Sequence, residues 1–550
     1  VIIKHPIDRY YFIFVCLTLL ILIIGLGSYG LAETSEARYA EISREMLVFG
    51  DYLNPELLGV FHFHKPPITY YITTLGYHIF GINEFGARFF LQVAIIIELL
   101  LVYRMTNLLY KNKKIAFMAG LIYFSLPIVL ISSRNLTTDA FLTTFILAAI
   151  YCWQVYTTKR KISYLYFFYI LVGFALLTKG PVALLFILVY IIVYKIIFKK
   201  GMRITPHHFL GFLLCVAIGA SWYILVMIEN PKLWAYFIEK QLLSRINSNS
   251  FNRSKPFWFY IPLLFGLLLP WWLALIPKLK RHIKKFQPKY PDTKILLFSS
   301  IILFILFSAF STKLIMYILP IFWMLAIIIA VKLRKSSQQS RAIVNVVYAI
   351  LLGALVAGLI VCRFIKPEII QVSTVTLIIA FALVIAFSAV YYFIENSQTS
   401  KSAVLAATFG VSLILISTSV MSHNSALTNS TRDMVQFINS VSNEKNKTIL
   451  VYDYLLTSIP FYTDDTHITL KNSHNTTDRE VQFEKEDSWK KRLWDVNDAT
   501  IIGKLHTISQ KRSTYLLVRN RWSIPENLTF LKKNFNSKKY YPKWTLYYNK

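Results

Sequence analysis

Stretches of roughly 15 to 25 apolar residues, most of them enough to cross a hydrocarbon layer of about 30 Å, recur along this chain from Tyr11 to about Val420. About thirteen such runs are present, at 11–31, 85–109, 115–133, 139–157, 164–178, 181–198, 208–228, 257–277, 295–311, 314–331, 342–362, 374–394 and 402–421. A segment inside lipid must satisfy its own backbone polar groups, so the runs read as helices. A 550-residue chain that is 55% hydrophobic, with a mean hydropathy of +0.50, is also too apolar for a soluble surface of that length. The expected fold class is an α-helical polytopic membrane protein. The first run reads as a retained anchor, because Leu31-Ala32-Glu33 is a poor small-residue cleavage site and further spans follow.

Lys and Arg number 59 against 28 Asp and Glu, a net charge of +31. In a soluble protein that excess would suggest nucleic acid. In a multispanning chain it sets orientation and suits anionic lipid or phosphate, and no nucleic-acid partner is expected. When the runs alternate sides, the denser set of basic loops contains Lys4 and Arg9, Lys111 to Lys114, Lys159 to Lys161, Lys195 to Arg203, Lys278 to Lys294, Lys332 to Arg341, and Lys401. These loops should be cytoplasmic, which places the N-terminus inside and the C-terminus outside. Cys16, Cys152, Cys215 and Cys362 lie in or at the ends of apolar runs at no metal-ligand spacing, and imply neither a disulfide frame nor a cysteine zinc site.

Residues 1–421 thus form an expected transmembrane domain with two long outer-face loops, 32–84 and 229–258. Residues 422–550 are polar, with β-rich runs at 448–453, 514–518 and 544–548, and are expected to form a soluble α/β domain on the outer face. In the first loop, Tyr39, Ile42 and Met46 recur at three- and four-residue spacing, which predicts an amphipathic helix lying at the membrane interface.

Charges beside a membrane core are rare and often functional. Three groups collect on the outer side: Glu33, Glu36 and Arg38 after the first run, Lys65 within His62-Phe-His-Lys-Pro-Pro67, and Asp139 at the start of the fourth run. Glu36, Arg38, Glu41 and Arg44 also have the spacing of a solvated helix face, and Thr138 or Asp139 would serve as a helix N-cap. Lys179 in a short outer turn and Lys313 before Pro320 are cations where positive-inside statistics disfavour them. Cations gathered with carboxylates on this face suggest a phosphate-bearing ligand presented by the bilayer.

The segment Glu33-Thr-Ser-Glu-Ala-Arg-Tyr-Ala-Glu-Ile-Ser-Arg-Glu-Met46, followed by Gly50-Asp51, Lys65-Pro66, Asn83-Glu-Phe-Gly-Ala-Arg88, Leu177-Thr-Lys-Gly180 and Lys313 to Pro320, resembles the bacterial aminoarabinose (4-amino-4-deoxy-L-arabinose) lipid A transferase family. That family is related to the protein O-mannosyltransferases, among membrane glycosyltransferases of the GT-C type. The resemblance implies about thirteen spans, an outer C-terminal domain and a place in the bacterial inner membrane with that domain in the periplasm. It implies inverting transfer of a sugar from a polyprenyl (undecaprenyl) phosphate carrier to lipid A or another outer-face acceptor.

Residue by residue, the resemblance implies that Arg38, Lys65, Lys179, Arg245 and Tyr317 hold the carrier phosphate, and that Asp139 is an acidic cavity residue. The family's usual Asp-Glu before the arginine is here Ser35-Glu36, so Glu36, or Glu33, is expected to supply the catalytic carboxylate, with Asp139 as the remaining catalytic candidate. The family's zinc-binding places are occupied by His64 and Lys240, which departs from that site. His62 and His64 stay candidates for a divalent metal bound in another way, and no cofactor is otherwise expected. Within the same enzyme class the acceptor could instead be a protein or a glycan. Outside it, the runs would also suit a transporter or flippase, and the outer domain a noncatalytic sensor. Charge collected in the outer loops favours chemistry at the interface over paired transporter halves.

Overall fold

The structure is a computed structural model that describes residues 6–199, 204–243, 254–278, 290–395, 400–442, 444, 446–474 and 477–550. The chain divides into two compact units, one of residues 1–26 and 89–420, the other of 27–88 and 421–550. The first outer loop therefore belongs by packing with the C-terminal residues. The sequence division had grouped it with the helical domain.

The helical unit follows the apolar runs. Among the described residues nine helices are long and apolar enough to cross a membrane, or up to eleven if two bent pairs each count as one span. The expected thirteen is reached only by adding the shorter apolar helices Val182–Phe198 and Phe257–Leu267. One bent pair, Lys113–Ser125 with Pro127–Arg134, turns by 60°. Pro127 supplies the cause, since it lacks an N–H and holds Leu126 extended at ψ 127°. Elsewhere small residues let helices close up: a Cβ on Gly173 would come within 2.9 Å of Ile218, and one on Gly219 within 2.8 Å of Leu176.

The second unit is built on a six-stranded sheet. Its strands are β3 (Thr448–Tyr452), β4 (Thr466–Lys471), β5 (Leu493–Asp495), β6 (Thr514–Arg519), β7 (Ser537–Tyr540) and β8 (Trp544–Tyr548), in the order β5-β4-β3-β6-β8-β7. A two-stranded hairpin of β1 (Glu56–Leu57) and β2 (Val60–Phe61) lies in the first loop. Strands β5, β4, β3 and β6 are parallel, and β8 and β7 extend the sheet antiparallel. The β-rich runs expected at 448–453, 514–518 and 544–548 are the strands β3, β6 and β8.

Alternate residues feed two cores. Ile449, Val451, Tyr515 and Leu517 face one with Met434, Val435 and Ile438 of helix Arg432–Val441. Leu450, Tyr452, Leu516 and Val518 face the other with Leu505 of helix Ala499–Ser509.

Helix Ser35–Phe49 belongs to this unit and ends at Gly50, whose φ of 76° lets its N–H reach Met46 O at 3.0 Å. Its stripe of Tyr39, Ile42 and Met46 packs against Leu57, Leu58, Tyr70, Tyr71 and Leu455. This corrects the expected interfacial helix: the amphipathic spacing is real, but the apolar face covers protein. Periodicity reports that a face is buried and is silent about what buries it.

Candidate functional site

The expected site residues fall in both units. Glu33, Glu36, Arg38, His62, His64 and Lys65 lie in the sheet-bearing unit, and Asp139, Lys179 and Tyr317 in the helical one. Arg245 and the side chain of Lys240 lie outside the described residues.

On helix Ser35–Phe49, Glu36 is 1% exposed and meets Arg88, which is fully buried. Arg88 Nε donates to Glu36 Oε1 and Nη2 to Oε2, both at 2.8 Å, and Ala32 N donates to Oε2 at 2.8 Å. The guanidinium also donates to Tyr29 O at 2.9 Å and Gly30 O at 3.0 Å, and lies 3.9 Å from the Tyr29 ring centroid. Two motifs that sequence reading kept apart, Glu33 to Met46 and Asn83 to Arg88, are thus joined by one fork-to-fork ion pair. Both oxygens of the Glu36 carboxylate are thus occupied by donors from the chain itself.

Glu33 has a different environment. Ser458 N donates to its Oε1 at 2.7 Å and Thr457 Oγ1 to its Oε2 at 3.1 Å. Burial raises its carboxyl from 4.5 to about 7, against the opposing pull of the Ser458 and Thr457 hydrogen bonds and the Arg38 charge. That value suits a group asked to take a proton near neutral pH.

Arg38 sits among other cations. Its Nε is buried with no hydrogen-bond partner among the described residues. Its charge acts on His62, His64 and Arg479, and Lys65 acts on the same two histidines. Burial holds His62 well below its usual range and His64 at about 4, so both imidazoles are neutral. Burial also lowers Arg479 to about 10. Arg479 was missed by sequence reading: it comes from the polar C-terminal stretch, where a lone arginine carries no signal. It donates through Nη2 to Leu57 O at 2.5 Å and Val60 O at 3.2 Å, which ties hairpin β1–β2 to the cationic group.

The rings of His62 and His64 stack at 4.0 Å, and His64 Nε2 lies 3.8 Å from Glu480 Oε1. Among the described residues no three His, Cys, Asp or Glu side chains are placed to hold a metal. The donor set therefore does not fit one, and the chemistry below is derived without it.

A second unexpected group lies further along the same helix. Glu41 is gripped by Arg44 through two 2.8 Å bonds, while both Glu45 oxygens are buried without a hydrogen-bond partner among the described residues, with Arg492 at 3.8 Å. Burial raises Glu41 and Glu45, and raises Glu56 in β1 to about 7. The spacing had read Glu41 and Arg44 as a solvated face. They are interior, and here the bland reading fails.

In the helical unit, Asp139 is 6% exposed in the first turn of helix Thr138–Lys159 and accepts from Lys179 Nζ. Lys179 ends helix Ile162–Lys179, and its Nζ lies 4.1 Å from the Tyr317 ring centroid. Asp139, Lys179 and Tyr317, separately picked from sequence, form one cluster. Asp139 makes no cap hydrogen bond with the helix start; Thr137 takes the N-cap position. Lys313, the other misplaced cation, is 2% exposed and donates to Lys255 O at 2.8 Å and Phe310 O at 2.5 Å, a backbone staple.

With this geometry in place, the chain can be set beside known proteins. Residues 64–224 match the family described as dolichyl-phosphate-mannose-protein mannosyltransferase. The chain is 31% identical over 309 residues to undecaprenyl phosphate-alpha-4-amino-4-deoxy-L-arabinose arabinosyl transferase 2 of Proteus mirabilis, covering 56% of each chain. It is 31% identical over 330 residues to the corresponding transferase of Photorhabdus laumondii, covering 59% of this chain and 60% of that one. These alignments therefore span less than two thirds of the relatives' own lengths. The crystal structure of ArnT from Cupriavidus metallidurans bound to undecaprenyl phosphate superposes with a TM-score of 0.76 over 98% of both chains at 20% identity. The fold is thus that of a polytopic helical membrane protein with a C-terminal α/β sheet, and the similarity in sequence to the aminoarabinose transferases extends over 56% to 59% of the chain.

Proposed function

We propose that this relative of the aminoarabinose transferases is a polyprenyl phosphate-sugar dependent glycosyltransferase, moving a sugar from an undecaprenyl phosphate carrier to a lipid A-type or other glycolipid acceptor at the periplasmic face of the inner membrane. The observation that carries the reading is the buried Arg38 Nε, which has no hydrogen-bond partner among the described residues and stands among further cations, an arrangement that suits a phosphate. The relatives' names support undecaprenyl phosphate as carrier and aminoarabinose as the sugar.

In this reaction the acceptor oxygen bonds to the anomeric carbon from the face opposite the carrier, with inversion. The bond from that carbon to the carrier phosphate oxygen breaks, and its electron pair leaves on the phosphate. Arg38, Lys65 and Arg479 stabilise the charge that grows there, in a setting where burial strengthens each contact. Glu33 takes the acceptor's proton, a role its raised carboxyl suits better than the locked Glu36. Within the helical unit, Lys179 is held by Asp139 and Tyr317.

The test is incubation of purified protein with undecaprenyl phosphate-linked sugars and candidate acceptors, lipid A first, read by mass spectrometry. One sugar added to the acceptor with release of undecaprenyl phosphate supports the reading. An unaltered carrier with every acceptor, or carrier that crosses the bilayer intact, overturns it in favour of a binding or transport role. Orientation is tested separately: a cysteine at Ser473 should react with a membrane-impermeant thiol reagent from outside, and one at Ser336 should not.

A further inference from the structure

Strands β3 and β6 are hydrogen-bonded neighbours, yet the chain leaves β3 for β4 and β5 on one side and returns to β6 on the other. Where connections part in this way, the carboxyl ends of parallel strands leave a crevice, the usual ligand position of open α/β sheets. Tyr454 follows β3, His474 follows β4, and Arg519 ends β6 ahead of Arg521 and Trp522. The Arg519 guanidinium lies 4.8 Å from the Tyr454 ring and 5.4 Å from the Trp522 ring, and that of Arg521 lies 6.0 Å from Trp522. The His474 ring is 4.6 Å from Trp522.

The charges here lack a counter-ion. Among the described residues no carboxylate forms an ion pair with Arg519 or Arg521. The acid beside them, Asp453, is occupied by the backbone N–H groups of Asn472 at 2.9 Å, and of Ser473 and His474 at 3.1 Å. The turn that carries the arginines is held in advance, since Trp522 N donates to Arg519 O at 2.9 Å, and Asn520 donates to Lys543 O at 3.0 Å and Tyr541 O at 2.8 Å. Two neighbouring arginines on a fixed turn, beside a half-buried indole, match a ligand with both an anion and a flat carbon face. The charges of Glu33 and Arg38 also reach the Tyr454 hydroxyl, so this crevice adjoins the proposed reacting groups.

We infer that the carboxyl ends of β3 and β6 form a subsite for a phosphorylated sugar, with the ring on Trp522 and the phosphate on Arg519 and Arg521. Resting on the transfer reading, the ligand is the headgroup of the acceptor, held by its own phosphate while another oxygen is glycosylated.

Saturation-transfer NMR of full-length protein in detergent with glucosamine 1-phosphate tests the subsite. Signal on the ring protons is expected, with little from glucosamine alone. It should be lost in Arg521→Ala, whose side chain is exposed, and partly kept in Arg519→Lys, which retains the charge without the fork. Equal signal in wild type and Arg521→Ala, or no signal in wild type, overturns the subsite. The acceptor KM then identifies the source: a rise of about tenfold in Arg521→Ala, with the carrier KM unmoved, assigns the crevice to the acceptor headgroup. An unmoved acceptor KM beside lost probe binding overturns that assignment in favour of a free sugar phosphate. Probe binding in a protein that transfers nothing would retain the subsite and reject the transfer reading, so the two fail separately.

Discussion

In the helical unit each buried acid considered has a donor against it. Asp139 has Lys179, and Glu98 accepts from Tyr123 at 2.8 Å and is bonded to Thr144 at 2.9 Å. In the sheet-bearing unit like charges crowd instead: Arg38 with Arg479, Glu41 with Glu45, Arg519 with Arg521. Paired acids occur there too, Glu36 with Arg88 and Glu41 with Arg44, but beside them stand like charges with no such match. The difference follows from the surroundings. Inside lipid an uncompensated charge is costly enough to be matched locally. Away from it, water and incoming ligands can meet an imbalance, and that imbalance marks where a ligand is missing.

Four experiments bear on this contrast. The largest effect is expected where compensation is complete. Arg88→Ala leaves Glu36 buried without its partner, a loss of about 3–5 kcal/mol, and should sharply lower the thermal unfolding midpoint of purified protein. A midpoint within a degree or two of wild type would mean that the pair is not structural.

Arg38→Ala, on the unbalanced side, should leave folding intact and lower transfer by about 10²–10³-fold, as the loss of one charge-stabilising donor does. Arg38→Lys should recover part of it. Unchanged turnover in folded Arg38→Ala would move the phosphate site elsewhere.

Glu33→Gln should lower the single-turnover rate with saturating carrier by about 10²-fold, whereas Asp139→Asn serves as the comparison from the helical unit. A base must be ionised to accept a proton, so the wild-type rate should climb with pH through about 7. The glutamine variant should lose that limb. Persistence of the limb would reassign the base.

The smallest effect concerns stability against pH. Glu33 and Glu56 each titrate near 7 when folded, above the ordinary 4.5, so the folded protein holds more protons than the unfolded chain between those values. Stability from these groups is full below about pH 4.5 and declines as pH rises through 7. Unfolding midpoints should be several degrees lower at pH 8 than at pH 5.5, and Glu45→Gln should narrow the gap by removing a like charge beside Glu56. A midpoint that rises with pH over this range would contradict the crowding of acids.

Much of the fold was legible because lipid imposes a simple rule on sequence. The apolar runs became helices, and the short β-rich runs became β3, β6 and β8. Boundaries of spans were less legible, since Pro127 bends one run by 60° and a hydropathy average does not register a bend. For the site, residue type found Asp139, Lys179 and Tyr317 but could not show that they touch. Glu36 was chosen over Glu33 from its motif position, and its pairing with the buried Arg88, far along the chain, could not be read from that position. Arg479 and the arginines after β6 were invisible for the same reason. Their meaning depends on neighbours distant in sequence, and no local period encodes it.

The sheet-bearing unit is assembled from two pieces of chain, 27–88 and 421–550, with residues 89–420 of the helical unit lying between them in sequence. During synthesis its first piece, carrying Glu45, Glu56 and the carbonyls of Leu57 and Val60, must wait for Arg479 and Arg492, which follow the intervening helices. A truncation after the last span would therefore remove more than an appended module. It would strand the hairpin and the acids of the first loop without Arg479 and Arg492, so the candidate site matures only after those arginines have been made.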